Sequence, residues 1–211
     1  MSAFALISES AFISAFAFAA AFALRYPKRI RGLVFVSPAT HPWPSGIDWH
    51  IRVGALPVVG RVFAELAAMP IGLGLIPCAL RTIFGPNAVP PNYRARVGAA
   101  LVLRPPTFVA NCRDIAEFYG HVTAMAARYH EIDTPTEIVT GDNDAIVAPA
   151  IHAYALARDI PGARLTILPG VGHMPHWSAP EAVVKAIERV VIRSAGVEAA
   201  GAVASRPVAA E

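Results

Sequence analysis

The chain has 211 residues, 55% of them hydrophobic and 16% charged, against roughly 45–50% and ~25% in an average globular domain. That composition excludes a disordered or collagen-like chain, and the length favours one domain over a multidomain assembly. The net charge of +3 comes from scattered arginines, so a nucleic-acid-binding arm is excluded and no nucleic-acid partner is expected.

Ser10 to Leu24 is uncharged and apolar, but shorter than the ~18–20 residues of a membrane span. Its flanks are reversed for a secretory signal, with Glu9 before it and Arg25, Lys28, Arg29 and Arg31 after it. The pattern predicts a buried helix in a cytoplasmic protein, with Phe12, Phe16 and Ala20, and likewise Phe18 and Phe22, spaced i, i+4. Leu33–Val36 is apolar throughout, as in a strand buried on both faces of a parallel sheet. Pro38 to Pro106 holds 11 of the 19 prolines, which predicts short helices joined by turns. On the same ground the second apolar stretch, Leu66 to Leu80, is broken at Pro70 and Pro77.

Thr107 to Tyr129 reads as a helix, with Phe108, Cys112, Ile115, Phe118 or Tyr119, and Val122 recurring every three to four residues. A strand at Thr136–Gly141, a helix at Pro149–Asp159, a strand at Arg164–Leu168 and a helix at Pro180–Arg193 follow, and this alternation implies parallel pairing. Residues 195–211 are rich in Ala, Gly and Val without periodicity and are expected to be disordered. Cys78 and Cys112 lack CxxC or Cys/His ligand spacing, so buried thiols are expected and no metal or other cofactor.

In parallel α/β sheets the reactive groups sit in loops at the carboxyl ends of strands. Two loops qualify: Gly141-Asp142-Asn143-Asp144 after one strand, and Gly170-Val171-Gly172-His173 after the next. Their separation matches one strand-helix-strand unit of ~30 residues. Taken singly, Asp142 to Asp144 read as a helix cap or turn and His173 as a loop histidine. His176 and Trp177 flank this loop. His41, His50, His121, His130 and His152 show no paired carboxylate in the sequence and are expected to be solvated or capping.

Together and in this order the loops resemble the carboxyl-terminal part of the α/β-hydrolase fold family, its lid-bearing esterase, lipase and epoxide-hydrolase-like branch. The segments Ala23 to Pro38, Pro135 to Pro149 and Ala163 to Ile187 carry the resemblance. It implies an incomplete α/β-hydrolase with about three parallel strands. Residues 1–38 hold a core helix and strand, 39–134 a helical lid, 135–194 the carboxyl-terminal α/β core and 195–211 the tail. Asp144 would orient His173, and His173 would act as general base toward a serine and then as general acid.

That serine belongs on a G-x-S-x-G elbow about one helix before Tyr26-Pro27, and no such motif is there. The first glycine is Gly32. Ser10 and Ser14 are the nearest candidates, but Phe12 stands where Ser10 needs a small residue, and Phe12 and Phe16 flank Ser14. The glycine-free opening suggests a frameshift or deletion in the gene. By the same resemblance the apolar segment Trp43 to Leu103 would line the pocket of an apolar, ester-type substrate, and left exposed it predicts self-association or membrane adhesion. Three functions follow: an apolar-ester hydrolase, an inactive remnant serving as an interaction module, and a membrane-associated protein anchored by residues 10–24.

Overall fold

The computed structural model describes residues 9–204, with side chains for residues 16–196. Three parallel strands form one sheet in the order β1-β2-β3: β1 (Leu33–Val36), β2 (Thr136–Gly141) and β3 (Arg164–Leu168). All three have the bounds expected from their apolar runs. Leu33 pairs with Thr136 and Glu137 with Arg164. β2 is central and buried along its length, whereas β3 is partly exposed.

Helix α1 (Glu9–Arg25) packs Phe16, Ala20 and Ala23 against Leu33 and Phe35 of β1. The predicted spacing holds on one face only, because Phe18 is 72% exposed. Residues 1–8 and the side chains of Ser10, Phe12 and Ser14 lie outside the described residues.

Between β1 and β2 runs a helical insertion. It comprises α2 (Trp49–Ala55), α3 (Val59–Phe63), a π turn (Ala64–Ala68), α4 (Met69–Phe84), α5 (Tyr93–Arg96) and α6 (Pro105–Ala126). From Val59 to Phe84 the helical path is continuous, 26 residues long, and by length and composition apolar enough to cross a membrane. The expected break at Pro70 and Pro77 does not occur. The π turn has already shifted the ladder, with the Met69 amide donating to the Ala64 carbonyl, so Pro70 enters where the ordinary i→i−4 register is suspended. Pro77 lies on the exposed face, where water can satisfy the carbonyl that its ring leaves without a donor.

Helix α6 has two neighbours. Phe108, Val109, Cys112 and Ile115 pack with Ile51 of α2, while Phe118 and Val122 join α1 and the sheet. The insertion is therefore anchored in the core. After β2 come α7 (Ala153–Asp159), α8 (Pro175–Ser178) and α9 (Pro180–Ala204). The first turn expected of the Pro149–Asp159 helix is irregular, and helix begins only at Ala153. At the other end, α9 passes its expected stop at Arg193 and continues to Ala204. Alanine's high helix propensity outweighs the cost of about 1 kcal/mol for each of Gly196 and Gly201, so the disorder expected from residue 195 is replaced by helix over those residues.

Glu137, the second residue of β2, is fully buried. Arg189 of α9 donates to it at 2.8 Å and Arg193 at 3.3 Å. The pair fastens α9 across the sheet, and the charge complement is what permits a carboxylate there.

Candidate active site

Asp144 stands three residues after β2 and His173 five after β3, on adjacent parallel strands. The Nδ1 atom of His173 lies 2.8 Å from Oδ2 of Asp144, and both side chains are buried. The other carboxylate oxygen, Oδ1, accepts from the amides of Ile146 at 2.9 Å and Val147 at 2.8 Å. Three donors thus converge on one buried carboxylate and fix its orientation. A proton on Nδ1, directed at the carboxylate, leaves Nε2 as the ring nitrogen with the lone pair, the tautomer that a general base needs.

Asp142 does different work. Its Oδ1 accepts from the Gly170 amide at 2.8 Å and from the Asn143 side chain at 2.6 Å, stapling the two loops together. Gly141 and Gly172 are required by space, and Gly170 by its φ of 69°. A Cβ on Gly141 would lie 2.0 Å from the Val171 carbonyl oxygen, and one on Gly172 would lie 2.0 Å from that of Gly85. The insertion also holds the histidine loop. Asn87 accepts from the Gly172 amide at 3.0 Å and donates to the Gly170 carbonyl at 2.9 Å. Tyr93 meets Trp177 edge to face with centroids 5.1 Å apart, and the Arg96 guanidinium sits over the Trp177 ring.

His176 flanks the pair, as expected, and burial followed by the charge of His173 lowers its pKa. His121 and His130 are exposed, as a solvated role requires. Three other histidines depart from that expectation. His41 Nε2 is 2.9 Å from Asp159 Oδ2. His152 is buried, and its Nδ1 accepts from the amides of Thr40 at 3.1 Å and His41 at 3.2 Å. Burial lowers its pKa to about 4. His50 is 7% exposed, and its Nε2 has no hydrogen-bond partner among the described residues. These partners are distant in sequence, so no local spacing announces them.

Ser10 and Ser14 both lie in α1. Ser14 has helical backbone on both sides, which is incompatible with a strand-to-helix elbow. Cys112 is buried, which raises its pKa to about 12, and Cys78 is a free thiol. Among the described residues no group of three His, Cys, Asp or Glu side chains is placed to hold a metal ion.

This sheet, with an acid and a histidine on successive loops at its carboxyl edge and a helical insertion above, is that of a hydrolase-type α/β fold. Residues 17–180 match the alpha/beta hydrolase fold family model, and the chain belongs to that family. Among solved structures it is similar to a thermophilic esterase from Thermogutta terrifontis, at 24% identity, TM-score 0.58, covering 85% of this chain and 62% of the esterase. It is also similar to the enol-lactonase from Burkholderia xenovorans LB400, at 19% identity, TM-score 0.54, covering 82% of this chain and 60% of the lactonase. A protein of Mycobacterium tuberculosis H37Rv named only as uncharacterized is 29% identical over 83 residues, 39% of this chain and 24% of the relative. The chain thus spans about six tenths of those enzymes, and its match spans about a quarter of the curated relative.

Proposed function

We propose that this chain carries the acid-base half of a serine-type hydrolase acting on uncharged, apolar esters. His173 takes the proton of the attacking hydroxyl and returns it to the leaving alcohol, while Asp144 holds the ring and stabilises the imidazolium that forms in between. The observation that carries the reading is the 2.8 Å contact between two buried side chains at the carboxyl ends of neighbouring strands. Family membership supports it, as do the esterase and lactonase activities of the two enzymes of similar fold.

The test uses p-nitrophenyl butyrate as substrate and a fluorophosphonate probe with peptide mapping. The expected result is turnover that falls at least ~10³-fold in H173Q, with the probe attached to a serine such as Ser10. Turnover equal in H173Q and wild type refutes the assignment. The second reading, a catalytically inactive interaction module, draws on the helical backbone around Ser14 and on the lack of any glycine before Gly32. It is favoured by a folded chain that the probe does not label.

A further inference from the structure

The loop that carries His173 is held from two sides. On the core side the Gly170 amide donates to Asp142 at 2.8 Å, and the Asn143 amide donates to the Val171 carbonyl at 3.0 Å. On the other side stands the segment of the insertion that follows α4. There the half-buried Asn87 side chain spans residues 170 and 172, accepting from the Gly172 amide at 3.0 Å and donating to the Gly170 carbonyl at 2.9 Å. Gly172 N–H requires an acceptor and Gly170 C=O a donor, so the two bonds fix which end of the Asn87 amide carries the oxygen. One side chain thus supplies the donor and the acceptor that a neighbouring peptide group would supply.

The residues around His173 are seated on the same segment. Met174 is 1% exposed, and every other buried member of its apolar cluster belongs to the insertion, Ile83, Phe84 and Tyr93 among them. Gly172 approaches the Gly85 carbonyl so closely that a side chain there has no space. Trp177 contacts both Tyr93 and Arg96. The backbone on either side of His173 therefore moves only with the insertion, whereas the ring itself is tied to Asp144 of the core. A misplacement of about 1 Å at a reacting group costs on the order of 10²-fold in rate. The seating of this loop thus decides whether the pair is competent.

We propose that Asn87 is a positioning residue for His173, and that residues 84–96 of the insertion are a fixed support for the histidine loop instead of a cover that lifts away from it. Bending this segment shifts the backbone of Gly170 and Gly172 and, through it, the angle at which the ring meets Asp144. Asn87 acts on the reaction only through His173. The inference deepens the hydrolase reading, on which it rests for what the positioning serves, while the hold on the ring is measurable without turnover.

The test records the His173 Nδ1–H resonance of the full chain by NMR, together with its rate of exchange with water, which reports opening at the ring and not the overall fold. N87A loses both bonds and is expected to speed that exchange about 10-fold or more, at roughly 2- to 10-fold for each hydrogen bond. N87D, the variant to use should N87A fail to fold, loses the donor to Gly170 and is expected to speed it at least ~2-fold. F63A is the control for stability, because Phe63 packs on Phe108 in a separate cluster of the insertion. It is expected to leave the exchange within about 2-fold of wild type even where it lowers the urea midpoint as far as N87A does. Unchanged exchange in the folded Asn87 variant, or equal acceleration in F63A, overturns the proposal. So does a wild-type Nδ1–H that exchanges too fast to be seen, since a held ring protects that proton. Where p-nitrophenyl butyrate is turned over, N87A is expected to lower kcat about 10-fold with KM within about 2-fold. A responsive Nδ1–H without turnover counts against the hydrolase reading alone, and turnover with an unresponsive Nδ1–H counts against the positioning role alone.

Discussion

Removing the Asp144 carboxylate in two ways separates its structural role from its chemical one. In D144A, three donors lose their acceptor: the buried Val147 amide and His173 ring and the part-buried Ile146 amide. Each orphaned donor costs roughly 1–3 kcal/mol. Side-chain relaxation and entering water offset part of this, so the expected loss is about 3–5 kcal/mol, a large share of a typical total of ~5–15 kcal/mol. In D144N the amide oxygen can keep both backbone donors, and the new NH₂ faces Nδ1 of His173. The ring must then accept at Nδ1 and move its proton to Nε2, so the expected cost in stability is only about 1–2 kcal/mol while the base is inverted. Urea unfolding measures the first quantity, and the ¹⁵N spectrum of the His173 ring reports the second. Where the intact site hydrolyses esters, the inverted tautomer should lower turnover by about 10⁴-fold, as the same exchange does in a serine triad. A cost below about 1 kcal/mol in D144A, or a proton that stays on Nδ1 in D144N, refutes the geometry on which the functional reading stands.

The two loop glycines and the buried ion pair give further tests. G141A places a Cβ 2.0 Å from the Val171 carbonyl oxygen, where only backbone can yield, and should cost more than about 2 kcal/mol in thermal unfolding and abolish the His173 Nδ1–H signal. G120A in α6, where nothing lies within 4 Å of the added carbon, should instead stabilise by about 0.5–1 kcal/mol. For the ion pair, R189A should cost more than E137A, about 2–4 against 1–2 kcal/mol, because it leaves the fully buried Glu137 carboxylate with Arg193 alone, whereas the half-exposed Arg189 can rehydrate. Equal losses in the two variants would contradict that asymmetry.

The pH dependence follows from His152, whose pKa in the folded chain is about 4 instead of 6.5. Between those values the unfolded chain binds a proton that the folded chain rejects, so stability is complete above about pH 6.5, falls as the pH drops toward 4, and levels off below it. The full excursion is about 3 kcal/mol. Urea midpoints at pH 7 and pH 4.5 that show no decline would rule the mechanism out.

The strands were legible because each is a short run centred on β-branched or aliphatic residues and bounded by proline or glycine, most plainly in the wholly apolar Leu33–Val36. The loops carrying Asp144 and His173 were legible because their glycines stand out in the residue order, although the crowding that requires Gly141 and Gly172 comes from Val171 and Gly85, far away in sequence. The continuous helix from Val59 to Phe84 was not, since the π turn that admits Pro70 has no signature in residue order. Nor was the burial of Glu137, whose partners Arg189 and Arg193 come from the far end of the chain. The same holds for His41 and His152. Their partners Asp159 and the Thr40 amide approach only after the sheet has formed, and sequence spacing does not encode such meetings.

The wiring of the sheet also bears on how the molecule is made. Strands β2 and β3 are joined by one short crossover, and Asp144 lies 29 positions from His173, so this half can assemble from neighbouring chain with a small loss of loop entropy. Strand β1 finds β2 only after the whole insertion has been traversed, as the pairing of Leu33 with Thr136 requires, and contacts of such long range are slow to form. The aspartate and histidine therefore belong to the portion whose contacts are nearest in sequence, while β1 can join it only across the whole insertion.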